Sequence, residues 1–78
     1  MHIEPKGYIV GFDGVIWGVG KTAAAAWEDA HKEGLRVPDG EAQCWPATNR
    51  LLAMIMLYGG SVFWAICDGV ACYMDEGK

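Results

Sequence analysis

Two Asp-Gly pairs, Phe12-Asp13-Gly14-Val15 and Cys67-Asp68-Gly69-Val70, lie near opposite ends of the chain, each flanked by apolar runs. A type I′ turn needs positive φ at both central residues, and its twist matches that of the strands it joins. Asp-Gly in this setting therefore predicts a two-residue β-hairpin. Two helix candidates lie between the hairpins. The order reads ββααββ and predicts an α+β fold in a single domain over residues 1–78. Its expected form is a four-stranded antiparallel sheet from two hairpins, with two helices packed on one face.

In the first hairpin, a two-residue turn pairs Phe12 with Val15, Val10 with Trp17 and Tyr8 with Val19. These six large residues share one face; Ile9, Gly11, Ile16 and Gly18 form a thinner one. Thr22 is placed to cap a helix over Ala23–Glu33 that Gly34 ends. Ala23, Ala26, Trp27 and Ala30 form its apolar stripe, small enough for close approach to a sheet. Leu35–Gln43, with Pro38, Asp39 and Gly40, reads as a connection. Pro46 suits the first turn of a second helix that reaches about Tyr58 and stops at Gly59-Gly60. Beyond its first turn this helix has no polar side, the mark of an element buried all round. The last hairpin, Ser61–Asp75, is apolar on both faces. Folding at this size buries only about 60% of the unfolded chain's surface, yet 53% of residues are hydrophobic. Part of the apolar surface is expected to face a partner: another protein, or a second copy in a homodimer.

Charge and spacing exclude several function classes. The formal net charge is −4, which opposes direct nucleic-acid binding through phosphates but suits a partner with a basic surface. Cys44, Cys67 and Cys72 make an odd number. Cys67 and Cys72 are diagonal neighbours in the predicted hairpin, a poor disulfide geometry, so thiols in a reducing cytoplasm are expected. Met1-His2-Ile3-Glu4-Pro5 lacks the basic and apolar pattern of a secretory signal. Leu51–Cys67 is uncharged but broken by Gly59-Gly60, and reads as a buried helix and strand instead of a membrane span. Gly20-Lys21-Thr22 opens a helix after a strand, as a phosphate loop does, but Val15 stands where that loop needs its first glycine. No Cys-x-x-Cys or His-x-x-x-His spacing suggests a metal. No catalytic constellation and no cofactor site are expected, so the chain does not read as an enzyme.

Binding candidates remain. Glu28, Asp29 and Glu33 cluster on the first helix, and Asp39 and Glu41 follow it, an acidic set suited to Lys or Arg on a partner. Trp45, Trp64 and Tyr73 are aromatics without a clear core position, the type that anchors interfaces. The run Gly20-Lys21-Thr22-Ala23-Ala24-Ala25-Ala26-Trp27-Glu28-Asp29-Ala30 resembles the strand-to-helix step of HicB-type antitoxins, through Gly20, Thr22, Ala26 and Ala30. In type, the whole chain is similar to small phage-encoded anti-CRISPR proteins: one small acidic domain of two hairpins and two helices, with exposed aromatics and an acidic run at Glu28-Asp29. That resemblance implies stoichiometric inhibition of a CRISPR effector subunit by protein–protein binding, blocking DNA binding or cleavage. The antitoxin resemblance implies a homodimeric binding module.

Overall fold

The computed structural model describes residues 7–36 and 40–74. Strands β1 (Gly7–Phe12) and β2 (Val15–Gly20) are followed by helix α1 (Ala23–Lys32). Strand β3 (Gln43–Ala47), helix α2 (Asn49–Tyr58) and strands β4 (Trp64–Cys67) and β5 (Val70–Tyr73) complete the order. The five strands make one mixed sheet in the order β2-β1-β3-β5-β4. The α+β class stands. The four-stranded antiparallel sheet does not: a fifth strand lies within the expected connection and second helix, and β3 meets β5 in parallel at Ala47 and Ala71.

Both turns form as the Asp-Gly chemistry requires. Asp13 and Gly14 have φ of 53° and 77°, and Asp68 and Gly69 have 53° and 80°. In the last hairpin Ala65 faces Cys72 and Cys67 faces Val70, the expected register. The first hairpin keeps its expected register where Phe12 faces Val15 and Gly11 faces Ile16, and loses it from Val10 onward. Val10 faces Gly18 instead of Trp17, so Trp17 is the extra residue of a β-bulge. A bulge reverses the sidedness of everything beyond it. Trp17 stays with Tyr8, Val10 and Phe12, but Val19 crosses to the opposite face.

The exchange brings Gly18 and Gly20 under α1. A Cβ on Gly18 would lie 2.2 Å from the carbonyl oxygen of Ala26. The alanine stripe and these two bare positions let helix and strand touch at backbone distance. Thr22 caps α1 as expected, its Oγ1 accepting from the Ala25 N–H at 3.1 Å.

The helices lie on opposite faces of the sheet, correcting the one-sided packing. Neighbouring strand residues point to opposite faces. On β1, Ile9 packs in the cluster of α2's Leu51, while Val10 packs in the cluster of α1's Ala26 and Ala30. Ile9 and Val10 are both fully buried, because β1 is an inner strand with a helix on either side.

Pro46 is in β3 opposite Tyr8, not in a helix. Thr48 donates its N–H to the Ala71 carbonyl at 3.0 Å, so the even-numbered residues of β3 turn their backbone toward β5. The missing N–H of Pro46 falls on that side, before β5 begins, and no ladder bond is lost. α2 starts three residues later than Pro46, at Asn49, with Thr48 as its cap. Thr48 Oγ1 accepts from the Leu51 N–H at 3.2 Å.

Candidate functional site

The acidic candidates do not form one site. Glu28 and Glu41 are exposed on different segments, Glu33 is exposed at the end of α1, and Asp39 lies outside the described residues. Asp29 is half-buried and has a structural role: its Oδ2 accepts the Val19 N–H of edge strand β2 at 3.0 Å. The neighbouring edge donor, the Ile16 N–H, meets the Gly60 carbonyl at 2.9 Å. Two donors that would otherwise offer a template to another strand are thus occupied.

Asp29→Ala is accordingly expected to cost about 1–2 kcal/mol, the loss of a charge-assisted bond at a half-exposed site. Glu28→Ala should stay within ~0.5 kcal/mol. Urea unfolding of both variants checks this. Equal stabilities would mean that the carboxylate leaves the strand edge in solution.

Asp29 and Glu33 also border a cleft of about 320 Å³ beside β2, whose wall includes Trp17, Val19 and Ile55. Trp17 Nε1 is buried and finds no hydrogen-bond partner among the described residues. The cleft places two carboxylates beside an apolar wall, a seat suited to the stem and head of a basic side chain.

The three aromatic candidates close the core instead of standing free. Trp45, Trp64 and Tyr73 are all half-buried and pack on the Ile9–Leu51 cluster. Trp64 Nε1 donates to the Gly14 carbonyl at 3.1 Å, and its ring fills the space above Gly11. In a flat sheet β4 and β1 would stand about 14 Å apart, three strand spacings. The contact therefore shows that the last hairpin curls back toward the first. Tyr73 lies under the Arg50 guanidinium, 5.6 Å from ring centroid to Cζ, a cation–π distance.

A different set is exposed. Met56 is 88% exposed, Leu57 71%, Tyr58 69%, Phe63 77%, Met74 51% and Ile66 39%. Tyr58 and Phe63 line a groove of about 290 Å³ with Val62 and Tyr73, and the Met74 N–H reaches the Phe63 carbonyl. The end of α2 and the last hairpin thus share an apolar surface. The sequence signal for it was a helix without a polar side followed by a hairpin apolar on both faces. What the signal lacked was which end of the helix is covered.

The described residues hold no cluster of three or more His, Cys, Asp or Glu fit for a metal ion. Cys44, Cys67 and Cys72 are thiols. Burial pushes the Cys44 thiol above its ordinary range, which lowers its thiolate fraction and its reactivity. No helix among the described residues is long and apolar enough to cross a membrane. Comparison with family models, with curated proteins and with solved structures finds no match.

Proposed function

We propose that this protein acts by stoichiometric protein–protein binding. The observation that carries the reading is the apolar exposure at the end of α2 and the start and end of the last hairpin: Met56, Leu57, Tyr58, Phe63 and Met74 are left more than half exposed, and Tyr58 and Phe63 line one groove. Folding gains little from them, and a surface of this kind marks an interaction site. Acidic side chains stand elsewhere: Glu28 and Glu33 on α1 and its end, and Glu41 before β3, all exposed. With a net charge of −4, they favour a protein partner with a basic surface. In this reading the target is a nucleic-acid-binding defence complex in the bacterial cytoplasm, a CRISPR effector first, and binding blocks its DNA recruitment or cleavage.

The antitoxin-like step has packing roles here. Gly20 admits Ala25 and Ala26, Thr22 caps α1, and Ala26 and Ala30 are buried. It therefore supports a helix–sheet junction more than a particular activity.

The test titrates the protein into a purified CRISPR effector during DNA cleavage. Inhibition should saturate at a fixed molar ratio. The triple variant Glu28→Lys, Glu33→Lys, Glu41→Lys should weaken it by at least about threefold and up to ~100-fold, since exposed ion pairs contribute about 0.2–1 kcal/mol each. Unchanged inhibition by the triple variant removes the acidic contact. Absence of inhibition across effector types removes the target class.

A further inference from the structure

The sheet has two edges, and they are finished differently. Along β2, the Ile16 and Val19 N–H groups are taken by Gly60 and Asp29. Along β4 nothing similar occurs. Cys67 faces Val70 across the turn, and Phe63 accepts from the Met74 N–H at 3.3 Å. The odd-numbered residues of this strand therefore bond inward to β5, and the even-numbered ones point outward. The N–H and C=O groups of Trp64 and Ile66 face away from the sheet, and no described residue pairs with them. Natural edges are usually guarded by charge, proline or a bulge. Phe63-Trp64-Ala65-Ile66-Cys67 contains no charge and no proline.

We infer that β4 pairs antiparallel with β4 of a second copy of this chain, joining two five-stranded sheets across a two-fold axis at Ala65. The inference rests on the reading of the apolar surface as an interface, and it names the occupant. The outward groups fix the register. Trp64 bonds to Ile66 of the partner subunit, Ile66 to Trp64 of the partner subunit, and the two Ala65 residues face each other between the bonded pairs. A two-fold contact sets a segment against itself, so a charge close to the axis would stand near its own copy; this segment has none. The nearest charges, the two Asp68 side chains, would stand about 20 Å apart along the strands, well past the ~8 Å screening length at physiological salt. Beside the unpaired groups, Phe63 is 77% and Ile66 39% exposed, so apolar side chains flank this edge on both faces of the strand.

Light scattering and two variants test it. The wild type should have twice the 8.5 kDa chain mass across the micromolar range. Ala65→Cys in a Cys72→Ala background, which removes the thiol facing position 65 within the chain, treated with diamide to take the two thiol hydrogens, should give a disulfide-linked dimer, because facing residues of a non-bonded pair lie about 4.5 Å apart between Cα atoms. The wild type should give no such product, since its Cys67 would face Phe63 of the partner subunit. Ile66→Pro removes an outward N–H and an exposed side chain but no bond to β5, and should raise the dimer dissociation constant at least tenfold with an unchanged circular dichroism spectrum. A dimer that resists Ile66→Pro and gives no cross-link through Ala65→Cys overturns the edge pairing. A monomeric wild type overturns the second copy as occupant, and Phe63→Lys then separates the two readings. If that variant loses effector inhibition, the apolar surface binds a different protein and the proposed function stands; if inhibition persists, the apolar surface is no interface and the inhibition runs through other contacts, so the edge pairing fails while the inhibitory activity stands.

Discussion

Gly18→Ala should destabilise the protein by at least ~3 kcal/mol, the upper end of ordinary overpacking. The added Cβ would lie 2.2 Å from the Ala26 carbonyl oxygen, 2.5 Å from the Ala30 nitrogen and 2.8 Å from the Ala30 Cβ. Two of these are backbone atoms of α1, so no rotamer change relieves the clash. The helix must lift from the sheet, and Ala26 and Ala30, both fully buried, lose their contacts together. A domain of this size holds about 4–12 kcal/mol in total, so a large share of its stability goes. Gly14→Ala is the control. Its Cβ would meet nothing within 4 Å, although its φ of +77° remains unfavourable for alanine, at about 1–2 kcal/mol. Thermal unfolding resolves the pair, since 1 kcal/mol moves Tm by about 4–8 °C at this length. A Gly18→Ala protein melting within ~4 °C of wild type would show that α1 does not sit so close in solution.

How far these features were legible depends on how locally each is encoded. The turns at Asp13-Gly14 and Asp68-Gly69 and the Thr22 cap depend on a few adjacent residues, and all formed as their chemistry dictates. β3 is encoded by its neighbours. Gln43–Ala47 is short and carries a proline, and it is a strand because β1 borders it along its length and β5 joins at its end. The bulge at Trp17 had a trace in the sequence. Glycine at 18 and 20 faces alanine at 26 and 30, a match of bare positions that only the reversed sidedness allows. β1 has two buried faces because a helix packs on each, Leu51 of α2 with Ile9 and Ala26 and Ala30 of α1 with Val10. The surroundings of the binding candidates were less legible for a related reason. Asp29 reads like its neighbour Glu28 until the Val19 N–H is placed beside it. Trp64 reads as a free aromatic until the last hairpin curls its indole onto Gly14.

α2 should respond to substitution by position, not by hydrophobicity. Leu51 is fully buried and clusters with Ile9, Ile16, Ala47 and Ala71 around the junction of β3 and β5. Its N–H is held by Thr48, whose own N–H bonds to Ala71. Leu51→Ala should therefore cost about 2–5 kcal/mol, with the upper half favoured because the cap and the parallel bridge restrain collapse into the cavity. Met56, one turn and a half further on, is 88% exposed. Met56→Lys should change stability by no more than ~0.5 kcal/mol while reducing self-association and the binding of apolar dyes. Urea unfolding and light scattering on the same two proteins give both halves of the comparison. Two variants equally unstable would mean that the exposed end of α2 is folded against the chain in solution, and the apolar surface would then need no partner. A stable but dissociated Met56→Lys protein would show the reverse: the outer end of this helix is apolar because another molecule covers it, since folding alone gives no reason to keep methionine, leucine and tyrosine in water.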